Sequence, residues 1–161
     1  MIIKQLLDED FVNYNKPSMF VAFPSCTFKC EKECGKKMCQ NSSLALSPNI
    51  FITTQKLCIR YLSNNITKAV VCGGLEPMDS FEDLFDFVCT LRNQYKCNDD
   101  VVIYTGYTKE ECEKNGWLHK LSYSENIVIK FGRFVPNQQA HYDKVLGVKL
   151  MSDNQYAERI S

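Results

Sequence analysis

The chain carries no surplus of either charge, since 19 Lys plus Arg are balanced by 19 Asp plus Glu. Neither a nucleic-acid backbone nor an anionic lipid surface is therefore the expected main partner. No apolar run approaches the roughly eighteen residues needed to cross a bilayer. The acidic and basic residues Lys4, Asp8, Glu9 and Asp10 are wrong for a secretory leader. Histidine is nearly missing: His119 and His141 are the only two. Neither falls in a motif, and surface placement is expected for both. Internal repeats, low-complexity tracts and linkers are absent too. Residues 1–161 are expected to form one soluble, cytoplasmic domain with a core of its own.

Cysteine is what the chain has in plenty. Its nine cysteines are an odd number, which fits a reducing compartment better than an oxidising one. Cys58, Cys72, Cys89, Cys97 and Cys112 are scattered without ligand spacing and read as small hydrophobes or plain thiols. The other four, Cys26, Cys30, Cys34 and Cys39, fall within fourteen residues, directly after the apolar run Ser18 to Phe23. Such density means a metal or a disulfide. A zinc knuckle would use all four, at spacings of three, three and four residues. An iron–sulfur cluster is also held by thiolates, and a cubane takes up to four of them. If the protein supplies only three, one iron stays open for a ligand and the chain is an enzyme. If all four bind, the site is closed and structural. Taken alone, the cysteines leave zinc and iron–sulfur even.

The rest of the chain alternates strand and helix patterns. Residues 18–23, 68–72, 101–105 and 126–131 are short apolar runs of strand length. Thr54 is placed to cap a helix carrying Leu57, Cys58, Tyr61 and Leu62, ending near Asn64 and Asn65. Asp79 or Ser80 opens the clearest helix, in which Phe81, Leu84, Phe85, Val88, Leu91, Arg92 and Tyr95 follow a 3-4 spacing. Only Arg92 breaks that stripe. Thr108 and Glu111 form a capping-box pattern for another helix, stopped near Asn115 and Gly116. The alternation predicts an α/β fold with a mostly parallel sheet. A closed eight-unit barrel needs roughly 200–250 residues, so the expected architecture is a partial, open barrel of about five or six βα units. Ligands in such folds sit at the carboxyl ends of strands. The cysteine loop, Gly73-Gly74, Gly106-Tyr107 and Gly132-Arg133 all fall at such ends, which points to one shared site.

Cys26-x3-Cys30 after a first strand, followed by Cys39-Gln40-Asn41, resembles the cluster loop of the radical S-adenosylmethionine (radical SAM) superfamily. That loop is ordinarily C-x3-C-x2-C, with an aromatic residue and, in glycyl-radical activating enzymes, an Asn after the third cysteine. Here Glu33 stands where the third cysteine belongs, so the ligand is Cys39 or, as the alternate, Cys34. The Cys-x-Asn context favours Cys39, and Gln40 replaces the aromatic residue. Cys72-Gly73-Gly74-Leu75-Glu76-Pro77 resembles the superfamily's Gly-Gly-Glu-Pro segment, with Leu75 inserted. Thr105-Gly106-Tyr107, Gly132-Arg133-Phe134, Leu146-Gly147 and Ser152-Asp153-Asn154-Gln155 resemble segments of anaerobic, class III ribonucleotide reductase activating proteins, in the same order. Phe131 takes the place of an acid in that pattern. The resemblance implies a [4Fe-4S] cluster on Cys26, Cys30 and Cys39, with S-adenosylmethionine against Asn41, Gly73, Gly74, Glu76 and Thr105. It implies reductive cleavage to methionine and a 5′-deoxyadenosyl radical, which removes hydrogen from a glycine α-carbon. The implied partners are the glycyl-radical catalytic subunit of anaerobic ribonucleotide reductase and a flavodoxin-type electron donor. A radical SAM enzyme acting on a small molecule, like 7-carboxy-7-deazaguanine synthase, and a non-enzymatic zinc module are the alternatives. No role is assigned to Lys130 or Arg133 beyond meeting an acid of cofactor or partner.

Overall fold

The computed structural model describes residues 1–39 and 41–161. In chain order its strands are β1 (Ile2–Ile3), β2 (Gln5–Asp10), β3 (Ser18–Phe23), β4 (Ile50–Phe51), β5 (Ala69–Gly74), β6 (Asp100–Tyr104), β7 (Ile127–Phe131), β8 (His141–Asp143), β9 (Val148–Leu150) and β10 (Tyr156–Arg159). The helices are α1 (Lys29–Cys34), α2 (Ser42–Leu46), α3 (Thr54–Leu62), α4 (Phe81–Cys89), α5 (Lys109–Lys114) and α6 (Trp117–Leu121). Six strands make the main sheet in the order β10-β7-β6-β5-β3-β2. The central four, β3, β5, β6 and β7, are parallel neighbours, while β2 and β10 pair antiparallel at the two edges. No helix among the described residues is long and apolar enough to cross a membrane.

The two faces of the sheet are used differently. Alternate residues of a strand point to opposite sides. One set, including Val70, Cys72, Val101, Ile103, Ile127 and Ile129, packs against Leu57 and Tyr61 of α3 and Leu84, Phe87 and Val88 of α4. The other set begins with Val71, Val102 and Val128, which are covered by Tyr14, Leu146 and Leu150. This second face also carries Phe20 of β3, level with Val71, and, further along β5, β6 and β7, Gly73, Tyr104 and Lys130; there it borders a cavity instead of a core. Helices thus cover one side and the cavity opens on the other.

Local chemistry explains the elements and moves some boundaries from their expected places. The cap of α3 is Thr53, whose hydroxyl accepts from the Lys56 amide. Thr54 lies inside the helix and donates to Asp86 instead. The capping box of Thr108 and Glu111 forms as read. A second short helix, α6, follows it after the left-handed Gly116. Arg92, the break in the apolar stripe, is buried because its guanidinium donates to the carbonyls of Glu125, Cys97 and Asp99 at 3.0, 2.7 and 2.8 Å. Asp100, at the start of β6, accepts from Tyr14, Lys16 and Arg159, which ties the segment before β3 and the last strand to the sheet.

Candidate metal centre

The cavity has a volume of about 870 Å3 and lies where β3, β5, β6 and β7 end. Parallel pairing accounts for this convergence. Phe23 pairs with Gly74, Cys72 with Ile103 and Tyr104 with Lys130, so the segments leaving these strands are neighbours. Cys26, Cys30 and Cys39 line the cavity, as do Asn41, Gly73, Gly74, Glu76 and Thr105. Cys34 does not line it. Its thiol is exposed and faces the carbonyls of Glu31 and Lys36 at 3.8 and 3.5 Å. Gln40 lies outside the described residues.

The cysteine loop is strapped to the strand ends by polar contacts. Phe28 takes a left-handed conformation (φ 52°), and its amide donates to the Cys26 sulfur at 3.2 Å. Asp79 accepts from the Thr27 amide at 2.6 Å and from the Tyr107 hydroxyl at 2.5 Å. Lys29 sits over the Tyr107 ring, 4.3 Å from its centre. Arg133 donates to both carboxylate oxygens of Glu111 at 2.8 and 2.9 Å, holding that carboxyl down at about 2. Asn41 donates its amide to the Gly74 carbonyl at 2.6 Å, closing the loop onto the end of β5. Gly74 has φ +84°, and a side chain there would meet Ala22 at 2.7 Å. A glycine is therefore required at that corner.

Glu76 is almost fully buried and ties two strand ends together. One oxygen accepts from the Met78 amide (3.1 Å) and the Thr105 hydroxyl (2.7 Å), the other from the Gly106 amide (2.8 Å). Burial nevertheless pushes its carboxyl up to about 7, against those three donors. Lys130 is buried on the same cavity wall and donates to the Gly132 carbonyl at 2.6 Å. Burial lowers its ammonium to about 8, while the charge of Glu76 opposes that fall. The sequence marks Asp79 only as a helix opener and Lys130 only as a cation that could meet an acid, not as parts of this site. Their places, three residues after Glu76 and two before Gly132, are the signal that puts them near the strand ends.

The donor set fits an iron–sulfur group. Thiolates are the soft ligands such clusters take, and three free thiols share the wall. Burial pushes Cys26 up to about 11 and raises Cys30 as well, so each needs a nearby positive centre to be held as thiolate. Among the described residues no three His, Cys, Asp or Glu side chains are drawn together closely enough to encage a metal ion as they stand. The thiols are spread around an open wall. His119 is exposed beside Tyr123, and His141 lies on β8; neither lines the cavity.

Comparison with known proteins agrees with this chemistry. The model of the family described as 4Fe-4S single cluster domain matches residues 17–156, nearly the whole chain. The chain belongs to that family and is an iron–sulfur protein of the [4Fe-4S] kind. No curated protein and no solved structure matches it.

Proposed function

We propose that this member of the 4Fe-4S single cluster domain family is a radical SAM enzyme that generates a glycyl radical on anaerobic ribonucleotide reductase. The observation that carries the reading is the division of the four clustered thiols. Cys26, Cys30 and Cys39 share a cavity wall with the glycine corners, and Cys34 lies off it. Three thiolates leave one iron of a cubane without a protein ligand, and that iron is the seat for S-adenosylmethionine. A zinc module closed by four cysteines would need Cys34 in the set. When bound, the cluster and S-adenosylmethionine supply the one-electron cleavage that yields the hydrogen-abstracting species.

The chain's own residues bind, orient and exclude water. Glu76 has one of its four lone-pair sites left after its three hydrogen bonds, and this cavity-lining carboxylate would accept from a ligand ammonium. Gly73 and Gly74 line the cavity at the end of β5, where their backbone would border the ligand. Asn41 and Thr105 fix the two edges of this seat through Gly74 and Glu76. The open side of the sheet, read as a partial barrel, admits a glycine-bearing loop of the reductase subunit, with a flavodoxin-type protein as donor in the cytoplasm.

Anaerobic reconstitution tests the reading. Cys26→Ala, Cys30→Ala and Cys39→Ala each abolish 5′-deoxyadenosine formation under dithionite, and Cys34→Ala retains it. A dead Cys34→Ala beside an active Cys39→Ala reverses the ligand assignment. Activity in all four variants removes the enzyme reading. A glycyl-radical electron paramagnetic resonance signal on an added class III reductase subunit tests the partner.

A further inference from the structure

Cys30 and Cys39 are nine positions apart, and the chain has to double back for both thiols to reach one wall. Helix α1 ends at Gly35 in a left-handed conformation (φ +66°), and the chain returns alongside it. The return is held by Glu31, the residue next to Cys30. One oxygen of its carboxylate accepts from the amides of Met38 and Cys39, each at 3.0 Å. Two successive N–H groups on one ionised acceptor make a charge-assisted clamp. Cys34 is left on the outside of the turn, with its thiol exposed.

We infer that Glu31 is a positioning residue for the third cluster thiolate: it closes the Cys30–Cys39 loop so that Cys39, not Cys34, faces the cavity. The inference rests on the ligand set proposed above. Outer partners of metal ligands fix the orientation of those ligands and are felt in metal affinity. The carboxylate also adds negative charge beside the cluster and engages the Cys39 amide, keeping it from donating to sulfur. Both effects favour the oxidised cluster, because potentials follow local charge and hydrogen bonds to sulfur. Glu31→Gln keeps an acceptor oxygen and loses the charge, whereas Glu31→Ala loses both. The two substitutions therefore separate holding from tuning.

The full-length chain is reconstituted anaerobically as wild type, Glu31→Gln, Glu31→Ala, Cys34→Ala and the Glu31→Ala/Cys34→Ala pair. Iron release to a chelator, midpoint potential and circular dichroism are then measured. Glu31→Gln and Cys34→Ala hold iron as the wild type does, and Glu31→Gln has a more positive potential. Glu31→Ala releases iron roughly 10-fold faster at unchanged fold. The pair releases it faster still, since Cys34 substitutes once the return segment is freed. Release from Glu31→Ala at the wild-type rate overturns the inference. A wild-type cluster that ignores S-adenosylmethionine removes the radical SAM reading instead, and the chelator comparison still decides the role of Glu31.

Discussion

Binding of S-adenosylmethionine to the reconstituted protein, followed from about pH 6 to about pH 7.5, tests the one carboxylate on the cavity wall among the described residues, Glu76. Burial raises it to about 7, with amide and hydroxyl donors from Gly106, Thr105 and Met78 pulling the other way and Asp79 adding to the rise. Lys130 and the Cys26 thiol share its electrostatic surroundings. With that midpoint the ionised fraction climbs from about 0.09 to about 0.76 across the window. A ligand ammonium recruits only the ionised form, so affinity rises about eightfold over the same interval. Lys130, lowered to about 8, stays largely protonated throughout and does not reverse the trend. Stability of the unliganded protein moves oppositely. The folded state keeps a proton that the unfolded chain gives up near its ordinary value of 4.5, so stability falls as pH rises from there through about 7. The full loss is about 3 kcal/mol. In Glu76→Gln the charge is gone and the pH slope of binding is flat. Equilibrium dialysis reads the slope directly. A wild-type affinity that does not change over the window, or an equal slope in Glu76→Gln, refutes the seat assigned to this residue.

Two further substitutions probe the frame that holds the site. Burial alone would raise Asp100, but hydrogen bonds from Arg159, Lys16 and Tyr14 bring it down to about 2. Its contribution is complete above the ordinary carboxylate value of 3.8 and is lost as pH falls through about 2. It amounts to about 2 kcal/mol at most, because Lys16 and Arg159 are themselves half exposed. Asp100→Asn should lower the melting temperature at neutral pH by about 4–8 °C, with the difference closing in acid; equal melting at neutral pH refutes the tie. Arg92→Met keeps the buried stem and strips three carbonyls of their donor. Its cost in urea unfolding should be about 3 kcal/mol with cluster content unchanged, and a loss below about 1 kcal/mol would mean water replaces the guanidinium.

The parts of this protein that were legible in the sequence are those whose neighbours are guaranteed by topology. Strands β3, β5, β6 and β7 are buried on both faces, so they read as short apolar runs, the last three ended by or near glycine and β3 by Pro24, within one or two residues of their true bounds. Edge strands β2 (QLLDED) and β10 (YAER) carry acids and exposed positions, and neither shows an apolar alternation strong enough to read. Helix α1 buries nothing; it is made by the left-handed turns at Phe28 and Gly35, and no hydrophobic periodicity marks it. The same division runs through the site. Parallel pairing makes the ends of four strands adjacent whatever the loops do, so the glycine corners and the cysteine loop could be grouped before any distance was known. Which thiol turns inward is another kind of question. It depends on how the segment after Cys34 returns to α1, where the Met38 and Cys39 amides donate to Glu31, a residue that carries no motif. Spacing counts residues along the chain, whereas a ligand set is fixed by where a side-chain oxygen places the backbone. The inserted residues therefore do not by themselves argue against a three-thiolate cluster: a loop of any length serves if something in it pins the last cysteine.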